Sequence, residues 1–435
     1  MKVKEEVLDK RLERKALLPI YDEVAKCNKC GFCLSTCPIY IITGEERAAA
    51  RGHNVHLQGL IEGRLGMSEE LKAPLFECLL CRACVDNCMS GVMTHENVLR
   101  GRSVYMERLG EPKVLQFVFR KVLPNQKKMD LYVRLAALGK KSKLDRAAKA
   151  LGFLKWFGRD RDKVLDLVQT LPFRFFKERL EELGPNPESA SKQVAYFVGC
   201  ATNYALPEVG FSTVKVLRAA GCSVEILGNL CCGLPAFSYG DQSAFKDLAR
   251  RNLDIMARLD VEAIVTDCGS CSACLKEYSK AFADDPEYGA KAAAVGPKLK
   301  ALSEYLTEIG LPEFKGRVEA RVTYHDPCHM SRYQHLVNEP RDIIRRIPGV
   351  EYRELSEADW CCGAAGTYNM AYYGQSMQVL DRKMENVKKA KADILVTTCP
   401  ACYIQLVYGA RKHALRCQIL DLTDLMAKAL DPHQP

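Results

Sequence analysis

The residues best equipped for chemistry in this 435-residue chain are its 21 cysteines, eighteen of which fall into four groups. Cys27, Cys30, Cys33 and Cys37 stand in CNKCGFCLSTCP, and Cys78, Cys81, Cys84 and Cys88 in CLLCRACVDNCM. Both follow CxxCxxCxxxC, a run that carries [4Fe-4S] clusters. Four thiols inside 11 residues, twice over, suit zinc poorly, since structural zinc usually draws its ligands from two separated pairs. In paired runs of this kind the fourth cysteine ligates the other cluster. The expected sets are Cys27, Cys30, Cys33 and Cys88 for one cluster, and Cys78, Cys81, Cys84 and Cys37 for the second.

The remaining ten grouped cysteines form a duplication. Cys200, Cys231, Cys232, Cys268 and Cys271 are followed by Cys328, Cys361, Cys362, Cys399 and Cys402, at offsets of 128, 130, 130, 131 and 131. Each repeat holds two adjacent thiols followed by Gly233 or Gly363. A strand would point such neighbours to opposite faces, and a vicinal disulfide is a strained staple. Five thiols also exceed the four a cubane needs. Either one is spare, or a thiolate bridges two irons once the glycine lets the backbone leave the strand.

The elements that must position these thiols can be read from the pattern. QVAYFVGC, SVEILGNLCCG, VEAIVTDCGSC, RVTYHDPC and ADILVTTCPAC each run from apolar or β-branched residues into cysteine, with helical patterns between them. That is α/β organisation, in which ligands gather at the carboxyl ends of strands. The CxxC pairs are expected to open helices, where orphan N–H groups favour thiolates. The 40 residues between Cys37 and Cys78 are rich in helix formers, which favours a helical module there. Met89 stands where the first run has Pro38, removing a turn constraint and no ligand.

The expected fold is α+β and multidomain. A helical, ferredoxin-like module with two [4Fe-4S] sites covers 1–99, and a basic amphipathic helical connector 100–190. Two α/β repeats follow at 191–315 and 316–430, after the linker GPNPESASK. In the connector, helices are expected through VLQFVFRKVL and DKVLDLVQTLPFRFFKERLEEL, broken near Pro124, Gly158 and Gly184.

The N-terminus is densely charged and lacks an apolar signal core, and no run of about 18 apolar residues occurs. A cytoplasmic chain is expected, with the option of a peripheral position at the inner face of the membrane. Cysteines in that compartment serve metal or redox chemistry. The net charge of +9 is concentrated between Arg100 and Lys192, where 22 Lys and Arg face 11 Asp and Glu. No recognition motif accompanies it, so nucleic acid is excluded as a partner. Solvated helix faces, docking onto an acidic partner, and attachment to an anionic membrane through GFLKWFGRDRDK and LPFRFFKERL are the three readings of this segment.

HDPCHM sets His325, Asp326 and His329 around Cys328, where the histidines could protonate a leaving thiolate or a reduced quinone, or serve as backbone-bonded loop residues. Tyr368 and Asp267 are near the cysteines in sequence and read as structural. Cys222, Cys274 and Cys417 read as buried apolar residues, although Cys274 follows Cys271 by three and could face the same site. No GxGxxG or other flavin or nicotinamide cradle is present, so a partner must carry any organic cofactor.

The two repeats resemble the cysteine-rich CCG repeats of heterodisulfide reductase catalytic subunits. That resemblance implies a noncubane [4Fe-4S] cluster held by five cysteines in one or both repeats, and thiol-disulfide chemistry with Cys232 and Cys362 at its centre. The full arrangement, together with CGFCLSTCPIY, GEERAAARGH, CLLCRACVDNC and CCGAAGTYNMA, resembles the iron-sulfur subunit of glycolate oxidase and related D-lactate dehydrogenases over residues 20–425. It implies a chain that does not oxidise substrate alone. Electrons would come from FAD on a flavoprotein dehydrogenase partner and leave to quinone, a carrier protein or a disulfide. The alternatives are a catalytic subunit that cleaves a disulfide at a repeat cluster, and a zinc-bound assembly scaffold. Both CxxC pairs are intact here, which keeps disulfide chemistry open.

Overall fold

The computed structural model describes residues 12–142, 163, 166–168 and 171–431. The described part of the first hundred residues is built of helices and turns. α1 (Pro38–Thr43) begins directly after Cys37, with Pro38 in its first turn, where a missing N–H costs nothing. Met89, at the corresponding place after Cys88, starts no helix and is left exposed. α2 (Ala50–Ile61) packs on α3 (Thr94–Leu109), and Leu57, Leu60, Leu75, Val104 and Tyr105 fill the space between them. α3 runs through position 100, so the helical packing of this module continues to Leu109.

The connector continues through Lys113–Phe117 and a π-helical turn at Val118–Val122. Then comes α4 (Gln126–Lys141), capped by the Asn125 side chain, which accepts from the Lys128 amide at 3.0 Å. The break near Pro124 falls where expected. The helix expected through LPFRFFKERLEEL does not form. Its place is taken by short 3-10 turns at Phe176–Glu178 and Leu180–Leu183. Phe175 and Phe176 are both fully buried, one against Tyr204 and the other against Tyr196 and Phe211. Each ring is held by its own aromatic neighbours, and these tertiary contacts override the local helical pattern. The expected break at Gly158 and most of GFLKWFGRDRDK lie outside the described residues.

The C-terminal half holds two four-stranded parallel sheets. β1 (Lys192–Tyr196), β2 (Cys222–Ile226), β3 (Ala263–Thr266) and β4 (Leu299–Ala301) are ordered β2-β1-β3-β4. β5 (Ala320–Tyr324), β6 (Val350–Tyr352), β7 (Ile394–Thr397) and β8 (Gln418–Asp421) repeat that order as β6-β5-β7-β8. The sequence duplication is thus a duplication of fold. β3 and β7 are buried throughout, which is why AIVT and ILVT read as unbroken apolar runs.

The repeats share one core, with Val194, Tyr196, Val322, Tyr324, Ile343 and Leu425 in a single cluster. Their helices pack reciprocally, Pro207–Ala219 on Leu422–Leu430 and Leu302–Ile309 on Asn338–Arg346, as a pseudo-two-fold requires. The N-terminal module straddles both repeats. α1 touches the helix Tyr373–Ala390, and α3 touches Leu234–Tyr239.

Candidate iron-sulfur centres

In the N-terminal module the two cysteine runs interleave. Cys78, Cys81 and Cys84 line a cavity of about 30 Å³ together with Cys37 from the other run. Burial, and then the thiols of Cys81 and Cys78, push Cys37 up to about 12; burial and the same neighbours raise Cys84. Backbone amides aim at sulfur, Leu80 N–H on Cys78 Sγ at 3.4 Å and Val92 N–H on Cys88 Sγ at 3.3 Å. Such N–H groups favour thiolates. The Cys88 loop is tied to the first run by Asn87, donating to the Phe32 carbonyl at 2.7 Å, and by Asn28, donating to Ser90 at 2.9 Å. Cys30 is exposed, whereas Cys81 is buried.

In the repeats each cysteine group sits at the carboxyl end of a strand. Cys200 opens α5 (Cys200–Tyr204) after β1, Cys231 and Cys232 lie in the loop after β2, and Cys268 caps α6 (Gly269–Lys276) after β3. Cys328 opens α7 (Cys328–Gln334), Cys361 and Cys362 follow β6, and Cys399 caps α8 (Pro400–Lys412). Both CxxC pairs therefore do open helices, and the Cys271 amide donates to Cys268 Sγ at 3.3 Å.

Every thiol among the 21 is free. Cys362 and Cys402 approach to 3.2 Å between sulfurs, well beyond the about 2.05 Å of a disulfide. The adjacent pairs are polarised alike. Cys232 is held well below the ordinary thiol range by Cys231, Cys271 and Cys274, and Cys362 by Cys361 and Cys402; their neighbours Cys231 and Cys361 are driven up. Five sulfurs gathered at each site, four of them buried and none bonded to another, are a donor set for soft metal, and iron-sulfur clusters fit it.

Gly233 and Gly363 have φ of 90° and 85°, the left-handed turn that directly follows each pair in the loop beyond its strand. A Cβ on Gly363 would lie 2.6 Å from the Ser376 carbonyl oxygen. Gly363→Ala is expected to destabilise the chain by about 2 kcal/mol or more, from the positive φ alone and from that clash. Thermal unfolding of the apo and loaded protein checks it, and an unchanged midpoint would show that the turn tolerates a side chain.

The two histidines part company in the structure. His325, at the end of β5, faces repeat 2, its ligand nitrogen lying with Cys362 and Cys402 Sγ inside a group no wider than 4.8 Å. His329 on α7 faces the junction between repeats, where its Nδ1 lies 3.0 Å from Ser270 Oγ, which lies 3.2 Å from Cys399 Sγ. Ser270 carries no signal in the sequence beyond its place inside CGSC. Asp267 accepts from Tyr196 and Thr202 at 2.6 Å each, a buried structural role. Tyr368 donates to Gln375. Cys274 is buried with its thiol 3.2 Å from the Cys232 carbonyl oxygen, facing the repeat-1 thiols, while Cys222 and Cys417 stay outside both sites.

The two parts of the molecule meet at cysteine. Cys37, Cys81, Cys328 and Cys361 belong to one packed cluster with Trp360 and Tyr368. α7 grips the second ferredoxin loop, Tyr333 donating to the Leu80 carbonyl at 2.7 Å and Arg332 to the Cys81 carbonyl at 3.3 Å. α6 packs on α7, and the Gly269 amide donates to the Thr398 carbonyl at 2.9 Å, so the CxxC turns of the two repeats also touch.

A paired ferredoxin-type module docked on two cysteine-lined α/β repeats defines an iron-sulfur electron-transfer protein. Residues 23–92 match the profile of the 4Fe-4S dicluster domain, and 194–276 and 322–407 each match that of the cysteine-rich domain. The chain is 33% identical over 421 residues to the "Probable glycolate oxidase iron-sulfur subunit" of Bacillus subtilis (strain 168), covering 94% of both chains. It is 33% identical to "Lactate utilization protein A" of Shouchella clausii over 49% of this chain and 89% of that one. It is 32% identical to a subunit of the fumarate reductase (CoM/CoB) of Methanothermobacter marburgensis over 57% of this chain and 48% of that one. The chain belongs to the family of glycolate oxidase-type iron-sulfur subunits.

Proposed function

We propose that the chain relays electrons within a flavin-dependent glycolate or D-lactate dehydrogenase. Clusters bound by its cysteines supply one-electron transfer. In this reading Cys27, Cys30, Cys33 and Cys88 hold the first cluster, Cys37, Cys78, Cys81 and Cys84 the second, and the five cysteines of each repeat a further one. The order follows exposure. Exposed Cys30 and Phe32 offer the first set to a flavoprotein partner, and the second set, with Cys81 buried, packs toward the repeats. The carrying observation is the packed contact of Cys37 and Cys81 with Cys328 and Cys361, which makes the two modules one conductor.

The acceptor is a quinone, a carrier protein or a disulfide. Among the described residues no helix is long and apolar enough to cross a membrane. α4 does expose Leu131, Leu135 and Leu138 along one stripe of a basic segment, which supports a peripheral site on the inner membrane face of the cytoplasm. Acidified α4 (Leu131→Glu with Leu135→Glu) is expected to lower sedimentation with anionic vesicles severalfold at unchanged iron content. Equal sedimentation would remove membrane attachment from the reading.

Anaerobic protein mixed with a flavoprotein hydroxy-acid dehydrogenase tests the central claim. Glycolate or D-lactate should bleach the visible absorbance of the iron-sulfur chain, and no bleaching despite a reduced flavin would overturn it. The second reading, disulfide cleavage at a repeat, is favoured by the His329, Ser270 and Cys399 chain between repeats, a route for a proton to a leaving thiolate. Rapid recovery of absorbance on adding an organic disulfide would select it.

A further inference from the structure

We infer that His325 is a metal ligand, so that the repeat-2 centre is bound by an imidazole nitrogen together with cysteine thiolates. The inference rests on the reading that repeat 2 holds an iron-sulfur cluster, and it is carried by three observations.

His325 is only 1% exposed, and its ligand nitrogen, Cys362 Sγ and Cys402 Sγ all lie within 4.8 Å of one another. Neither ring nitrogen finds an oxygen or nitrogen partner among the described residues. A buried imidazole without a partner is costly to keep, and the geometry leaves it few alternatives. Its backbone is pinned to β7 through the Val396 carbonyl at 2.9 Å, and the neighbouring Asp326 carboxylate is taken by Arg341 at 2.8 and 2.7 Å. What remains in front of the ring is sulfur and whatever the sulfurs bind.

The duplication supplies the third observation. The offset of 128 that relates Cys200 to Cys328 places Phe197 opposite His325, so repeat 1 has no imidazole there. The offset of 131 places Gln405 opposite Cys274. Gln405 is turned to Asn369 and Ser376, at 3.0 Å each, whereas Cys274 faces Cys232. Each repeat thus presents six soft or borderline donors, five shared thiols and one of its own, a thiol in repeat 1 and an imidazole in repeat 2. A neutral imidazole in place of an anionic thiolate raises a cluster's potential, as His ligation does elsewhere. Repeat 2, whose Cys328 and Cys361 pack with Cys37 and Cys81 of the ferredoxin module, is then the easier of the two to reduce.

The test is pulsed electron paramagnetic resonance on anaerobically purified, reduced protein, grown with natural and with 15N-labelled histidine. A strong nitrogen coupling that changes with the label, belonging to a centre other than the two ferredoxin clusters, is the expected result. It should vanish in His325→Cys, which keeps the iron content and shifts that centre to lower potential. It should persist in His329→Gln. A repeat-2 signal with only weak coupling, of the size a hydrogen bond gives, would overturn the inference and leave the function intact, as would a strong coupling that survives His325→Cys. An iron count of about eight with only ferredoxin signals would overturn both. The labelled wild-type protein decides the matter even where the variant fails to fold.

Discussion

Cys362→Ser, and separately Cys232→Ser, are each expected to lower electron throughput at least about a hundredfold and to remove about four iron atoms, while the ferredoxin-type resonance signals and the other repeat's cluster remain. Each of these sulfurs is buried, its pKa lowered well below the ordinary thiol range by its neighbours, and central to its group: Cys362 contacts Cys361 and Cys402, and Cys232 contacts Cys231, Cys271 and Cys274. Serine keeps the volume and removes the soft anion, and a hydroxyl does not ionise at neutral pH. The N-terminal module has its own core around Leu57, Leu75 and Tyr105, so its clusters should survive the loss. The two variants also rank the repeats. Contact of Cys81 with the Cys328 and Cys361 group makes Cys362→Ser the more damaging of the two. Full activity in both variants would show that the repeats are structural and that electrons exit from the ferredoxin module.

The ligand groups were legible in the sequence because cysteine spacing is a covalent property of the chain. Offsets of 128 to 131 between repeats translate directly into two sheets of identical strand order, and unbroken apolar runs such as AIVT translate into central strands. What could not be read depends on packing between distant segments. Residues 173–183 carry a helical period, yet Phe175 and Phe176 are drawn to two different aromatic neighbours, and tertiary contact overrides the local pattern. His325 and His329 are four residues apart in one motif. One directly follows a strand and the other rides a helix, and this sends them to different sites, a distinction that no spacing rule contains. The docking of the ferredoxin loop on α7 rests on Arg332 and Tyr333 meeting backbone carbonyls, contacts without any compositional signature.

Arg102 is another residue the sequence did not mark, and its removal is expected to be the most damaging change outside the cysteines. Its guanidinium is buried in α3 and donates to three carbonyls: Leu75 at 2.9 Å, Cys78 at 2.6 Å and Ser238 at 2.6 Å. The first two belong to the approach to the second ferredoxin set, and the third to repeat 1, so one side chain fastens the modules together. No carboxylate pairs with it among the described residues, and burial lowers its pKa while the Cys78 thiolate opposes that shift. A buried cation held by carbonyls and the face of the Phe76 ring is well placed to offset an anionic, thiolate-ligated cluster beside it. Arg102→Met should therefore do two things. It should cost about 3 kcal/mol or more of stability, from three charge-assisted hydrogen bonds and the carbonyls left unpaired, read by thermal or denaturant unfolding. It should also lower the potential of the second ferredoxin cluster, read by redox titration of its resonance signal. Arg102→Lys separates the two effects. It returns the charge without the planar fork, so the potential should recover while the stability recovers only in part. A potential unmoved in Arg102→Met would make the guanidinium a clamp between modules with no part in setting the direction of electron flow.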